Sequence, residues 1–150
     1  MEKLEKLVYV ASPLRAATAY EVDINKQKAK RYMETLNNLF AERGVPYRAV
    51  APHAYLPEIL DDNCPMQRHL ALEFGRNLLA ICSALVVFSV DGISEGMQYE
   101  IEYAQHIPCF EVADETGVDL AVKEICRLHE ICRLHELSES ILPCPFVERV

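Results

Sequence analysis

The sequence predicts one α/β domain: a parallel sheet of four to five strands, doubly wound by helices on both faces. Three observations lead there. The runs Leu7-Val-Tyr-Val-Ala11 and Ala84-Leu-Val-Val-Phe-Ser-Val90 are continuously apolar rather than alternating, as strands covered on both faces require. Between such runs lie segments with apolar residues three and four apart, long enough to serve as crossover helices. The chain has 150 residues, 51% of them hydrophobic and 25% charged, enough for one packed core without disulfide staples.

The elements follow in order. Leu7–Ala11 is the first strand, and the Ser12-Pro13 loop leads through a polar stretch into a helix from about Asn25 to Arg43. Ala29, Tyr32, Met33, Leu36, Leu39 and Phe40 form its apolar stripe, and Gly44 suits a left-handed stop. Pro46–Val50 is the second strand. The loop 51–63 follows, and its prolines at 52 and 57 exclude a continuous helix. Loops of that length inside compact domains are commonly functional, which singles out His53 and Asp61. A helix over about Pro65–Ser83, the strand Ala84–Val90, a helix carrying Glu100, the strand Pro108–Val112 and a helix over about Val118–Leu137 complete the pattern, and Pro143-Cys-Pro145 ends regular structure. The alternation gives a Rossmann-like or flavodoxin-like sheet.

Charge and composition exclude several classes. A net charge of -8 argues against a nucleic-acid polymer as partner, although a single arginine suffices for a mononucleotide. The stretch Met1-Glu-Lys-Leu-Glu-Lys-Leu7 alternates charge where a signal peptide needs an apolar core, and no apolar run approaches the ~20 residues of a membrane span. A cytoplasmic protein with no membrane partner is expected. Cysteines 64, 82, 109, 126, 132 and 144 lack paired metal-knuckle spacing and read as reduced, mostly buried small hydrophobes. No G-x-G-x-x-G follows the first strand, no G-x-x-x-x-G-K-[ST] occurs, and the first loop lacks the glycine of a flavin-phosphate cradle, so no cofactor is expected.

The last helix holds an exact repeat, Glu124-Ile-Cys-Arg-Leu-His129 and Glu130-Ile-Cys-Arg-Leu-His135. Six residues do not make whole turns, so the copies present different faces. For the same reason Cys126, His129, Cys132 and His135 spread around the helix and do not close on one metal ion.

The segment Ser94-Glu-Gly-Met-Gln-Tyr-Glu100 carries the functional signal. It follows the most apolar strand and the Asp91-Gly92 turn, and open α/β sheets bind ligands outside the carboxyl ends of their strands. Glu100, flanked by Tyr99 and Tyr103, suits a nucleophile or a hydroxyl clamp for a sugar.

Over residues 7–112 the chain resembles the nucleoside 2-deoxyribosyltransferase superfamily, which includes the 2'-deoxynucleoside 5'-phosphate N-hydrolases and uncharacterised bacterial and phage members. The resemblance implies that Glu100 attacks the anomeric carbon and that Tyr9, in Val-Tyr9-Val, positions it. It also implies that Arg15, in Ser-Pro-Leu-Arg15, contacts a 5'-phosphate. Ser94 falls where the hydrolase branch has a phosphate-binding serine, and Ser12, Asp91 and Gly96 complete the expected substrate site. The implied substrate is a small nucleotide or nucleoside, and the implied assembly is a homodimer or higher homo-oligomer. Breaking an N-glycosidic bond builds oxocarbenium character that a nearby carboxylate stabilises, and a hydroxyl donor keeps that carboxylate ionised.

One departure stands out. The family's aspartate on the helix before the third strand is absent around Glu73-Phe-Gly75-Arg76, leaving His53, Asp61 or Asp91 as substitutes for handling protons. Each residue also has a plain structural reading: Tyr9 as core filler, Arg15 as a loop arginine, Ser94 as a helix cap, His53 as a loop histidine and Asp61-Asp62 as a solvated pair. The alternatives to an N-glycosidase are therefore a non-catalytic nucleotide-binding module and an enzyme cleaving NAD-type glycosidic bonds.

Overall fold

The structure, a computed structural model, describes residues 5–141, with side chains for 5–137. The Pro143-Cys-Pro145 tail lies outside the described residues. Four strands form one all-parallel sheet in the order β2-β1-β3-β4, where β1 is Lys6–Ala11, β2 Tyr47–Val50, β3 Ala84–Phe88 and β4 Cys109–Val112. Tyr9 is in register with Val50 on one side and Leu85 on the other, so it sits at the centre of the sheet. The chain winds outward from β1 in one direction and from β3 in the other. The crevice at their carboxyl ends is therefore the switch point where such sheets bind ligands.

Strand alternation splits the core in two. Val8, Val10, Val86 and Phe88 pack on one face beneath α1 (Ala19–Arg43) and α4 (Gly117–Ile141). Tyr9, Ala11, Leu85 and Val87 pack on the other, with Leu79 of α2 (Pro65–Ile81) and Met97 of α3 (Glu95–Tyr103). The two layers are unequal: α1 buries Ala29, Leu36 and Phe40, whereas α2 buries only Leu79 and α3 only Met97.

Three differences from the sequence expectation have a local cause. α1 begins at Ala19 and not near Asn25, because Thr18 and Glu21 form a capping box: the Glu21 amide donates to Thr18 Oγ1 at 3.2 Å and the Thr18 amide to Glu21 Oε2 at 3.3 Å. It ends, as expected, at Gly44 with φ 62°. β3 stops at Phe88 and not at Val90, since its neighbour β4 ends at Val112 and only the Ser89 amide still finds a partner, Val112 O at 2.9 Å. The 51–63 loop contains two single 3-10 turns, Pro52–Ala54 and Leu56–Glu58, in both of which proline's fixed φ suits the first turn.

In α4 the repeat behaves as its six-residue step requires. Ile125 is 2% exposed and its copy Ile131 is 49% exposed. The cysteines follow: Cys126 is half-buried, while Cys132 is exposed. Cys109 is also exposed, so the cysteines are less uniformly buried than expected, and the five among the described residues are all unpaired.

Candidate functional site

A cavity of about 310 Å³ opens at the carboxyl ends of β1, β2 and β3, between the 52–62 loop, α2 and α3. Its floor is Tyr9. This side chain rises from the central strand, is fully buried, and its hydroxyl donates to Glu100 Oε1 at 2.8 Å. Burial first, then the negative charge of Glu100 and the hydrogen bond to it, holds the phenol well above its ordinary pKa. Tyr9 is thus a permanent donor. The plain reading of Tyr9 as core filler is half right: its ring fills the core and its hydroxyl serves the carboxylate.

Glu100 projects from α3 with its side chain 16% exposed, and its second oxygen, Oε2, is buried without a hydrogen-bond partner. His53, in the first 3-10 turn after β2, brings Nε2 to 3.5 Å from Glu100 Oε1 and sets its ring edge-on to Tyr9, centroids 6.2 Å apart. That distance is long for a hydrogen bond, and the contact becomes an ion pair when the imidazole is protonated. Burial opposes a charge on His53, but the adjacent Glu100 carboxylate outweighs it and the imidazole pKa ends above its ordinary value.

Four residues that line the cavity each hold a buried polar atom with no hydrogen-bond partner among the described residues: Ser12 Oγ, His53 Nε2, Arg76 Nε and Glu100 Oε2. Orphaned buried groups are uncommon, because each forfeits its hydration without return. Four around one cavity describe a surface complementary to a polar ligand with apolar flanks, the latter supplied by residues such as Leu14, Leu56, Leu60 and Leu72.

The remaining expected residues divide. Ser94 is the N-cap of α3, its Oγ accepting from the Met97 amide at 3.2 Å, and together with Gly96 it borders the cavity at the positive end of that helix. Ser12 also borders it and is only 3% exposed. Arg15 reaches the rim, 63% exposed, with Nε 3.1 Å from Asp62 Oδ2, and Arg68 Nη1 lies 3.5 Å from the same oxygen. Asp62 is therefore an anchor for two arginines and not merely a solvated loop residue. Asp61 stays in its own loop, with Oδ1 accepting from the Asn63 amide at 2.9 Å. Asp91 is not brought to the cavity: it pairs with Lys28 of α1 at 2.7 Å, on the other side of the sheet edge. Glu102, two residues from Glu100, points elsewhere and accepts from Gln98 Nε2 at 3.2 Å.

Sequence reasoning missed Asp62, Arg68 and Arg76 as wall residues. The signal was the spacing of Arg68, Ala71, Leu72, Gly75, Arg76 and Leu79, one stripe of α2 at three- and four-residue steps. Arg76 lies beside Tyr99 and Tyr103 of α3, its Cζ 5.3 and 5.4 Å from their ring centroids, and Nη2 donates to the Tyr99 hydroxyl. Among the described residues no three His, Cys, Asp or Glu side chains gather as metal ligands, and no helix is long and apolar enough to cross a membrane.

Among curated proteins, none matches this sequence. A family pattern described only as a domain of unknown function, DUF7768, matches residues 6–109. That span begins at β1, ends at the start of β4 and holds every cavity residue named above, so the chain belongs to the DUF7768 family, and the cavity lies inside the family's domain.

Proposed function

We propose that this protein is an N-glycosidase, or a deoxyribosyltransferase-like enzyme, acting on a nucleoside 5'-monophosphate or related small nucleotide with Glu100 as nucleophile. The observation that carries the reading is the Tyr9–Glu100 hydrogen bond of 2.8 Å at the floor of a cavity, with Glu100 Oε2 left unpartnered. A carboxylate oriented through one oxygen and free at the other is suited to attack an anomeric carbon and hold the resulting glycosyl group. Ser94 and Gly96 at the positive end of α3, with Arg15 at the rim, support the phosphate end of the ligand. His53 is the proton-handling group nearest the carboxylate, in a chain whose α2 wall carries no acid. The assembly we propose is a homo-oligomer: Met66, Leu70, Phe74 and Ile81 form an exposed apolar stripe along α2, suited to a second copy.

The second reading, a nucleotide-binding module without turnover, rests on that same α2 wall, where Ala71, Leu72, Gly75 and Arg76 stand and no carboxylate does. Incubation with a panel of nucleoside 5'-monophosphates, nucleosides and NAD, followed by chromatography of the free base, separates the readings. Base release that disappears in Glu100→Ala supports the enzyme. Thermal stabilisation by nucleotides without release, retained in Glu100→Ala, supports the binding module. Nicotinamide as the only product moves the reading to NAD-type substrates.

A further inference from the structure

Two of the arginines that border the cavity converge on one carboxylate. Arg15 comes from the loop after β1 and Arg68 from the first turn of α2, and both meet Asp62 at the end of the 52–62 loop. Arg15 Nε lies 3.1 Å and Arg68 Nη1 3.5 Å from the same oxygen, Oδ2. The charges do not balance. Two guanidiniums against one carboxylate leave a net positive charge and more N–H donors than its oxygens can accept. The Arg68 contact is also at the outer limit of hydrogen-bond distance. A phosphate group carries more charge and more oxygens, and guanidinium forks bind it through parallel N–H bonds, so it suits the pair better than Asp62 does.

The same carboxylate fastens part of the cavity wall. No side chain of residues 55–63 is buried, although Leu56, Pro57 and Leu60 line the cavity. Charged contacts tie this strap to its surroundings. Glu58 Oε1 lies 3.5 Å from Lys26 Nζ and 3.9 Å from Lys30 Nζ of α1, and Asp62 meets Arg15. Pairs this exposed are weak and yield to competing ions.

We propose that Asp62 is an internal competitor for a phosphate group: it occupies the Arg15–Arg68 pair in the empty cavity and surrenders it when a phosphate-bearing ligand enters, which loosens the 55–62 strap. Binding then carries a built-in cost, the Asp62 ion pairs that must be given up. The buried Pro52 and Ala54 keep His53 beside Glu100 while the strap moves. The inference goes beyond the reaction proposed above, since it needs a phosphate group in the cavity and not a bond cut there.

The test is calorimetric titration of inorganic phosphate into the full chain at constant ionic strength. Asp62→Asn should bind phosphate about fivefold or more tighter than the parent. Glu58→Gln removes the same charge from the strap away from the arginine pair, and its affinity should stay within about twofold of the parent's. In the parent, saturating phosphate should speed chymotryptic cleavage after Tyr55 and Leu60, located by mass spectrometry, where chloride at the same ionic strength does not. Equal tightening in both variants, an Asp62→Asn affinity no better than the parent's, or cleavage that phosphate leaves unchanged overturns the inference. Base release from nucleotides is a separate readout, so the N-glycosidase reading survives each of these results. Should Asp62→Asn lose its cooperative thermal transition, the cleavage measurement on the parent alone decides.

Discussion

A Cβ on residue 75 would stand 3.1 Å from the Tyr9 hydroxyl oxygen, so Gly75 is what lets β1 and α2 approach closely enough for that hydroxyl to reach Glu100. Gly75→Ala therefore separates stability from function. Alanine favours the helix by up to about 1 kcal/mol over glycine, but here the methyl must push Tyr9 by a few tenths of an ångström. The expected outcome is a thermal midpoint unchanged or raised, together with at least about a tenfold fall in base release, read from steady-state rates and melting curves. A variant as active as the parent would show that the close approach has no functional role.

Tyr9→Phe removes the donor and keeps the ring. Glu100 Oε1 then loses its hydrogen bond in a largely enclosed setting, a loss of about 1–3 kcal/mol by the usual cost of an unsatisfied buried group. Denaturant melts should show that loss in the unliganded protein. Activity should fall because the carboxylate loses the hydrogen bond that fixes its orientation in the cavity, and steady-state rates of base release check this.

His53 makes stability depend on pH. Its folded-state pKa lies above its unfolded value because of Glu100, so the stabilisation is fully present below the unfolded value of about 6.5 and is lost as pH rises through the folded one. Melting temperatures should decline across that window, above about pH 6.5, and His53→Asn should flatten the decline. An unchanged slope in the variant would mean that the 3.5 Å contact with Glu100 carries no charge-dependent energy.

Phe74→Glu places a charge in the middle of the exposed stripe on α2. A homo-oligomer built on that stripe should dissociate in light-scattering measurements, with the monomer still folded, since Phe74 contributes nothing to the buried core. A monomeric parent, or an oligomer whose mass the variant leaves unchanged, would remove this stripe as an assembly surface.

Much of the architecture was legible because the strongest patterns are local. The apolar runs of β1 and β3, the stripe of α1 and its Gly44 stop are each contained within one segment. The Thr18–Glu21 capping box was equally local and went unread, which misplaced the start of α1 by a turn and a half. The cavity lining was legible where it depends on single segments, as with Tyr9 and Ser12 at the end of β1, His53 just after β2 and Glu100 on the helix that follows β3. It was illegible where it depends on two helices meeting: Arg76 acquires its surroundings from Tyr99 and Tyr103, and Asp62 its role from Arg15 and Arg68, pairings that no single segment reveals. Asp91, expected at the substrate site, is instead held by Lys28 of α1, a pairing between distant segments that its own stretch of sequence does not reveal.

The unequal layers of the core have a consequence for motion. α2 is fastened to the sheet by one fully buried side chain, Leu79, whereas α1 is fastened by Ala29, Leu36 and Phe40. Opening of the α2 side therefore exposes less apolar surface and occurs at lower free energy than opening of the α1 side. Backbone amides of α2 should exchange with deuterium well before those of α1 in the empty protein. A molecule that bridges Glu100 on α3 and Arg76 on α2 would close that difference, so the exchange rate of a single helix reports occupancy of the cavity even when no bond is cut.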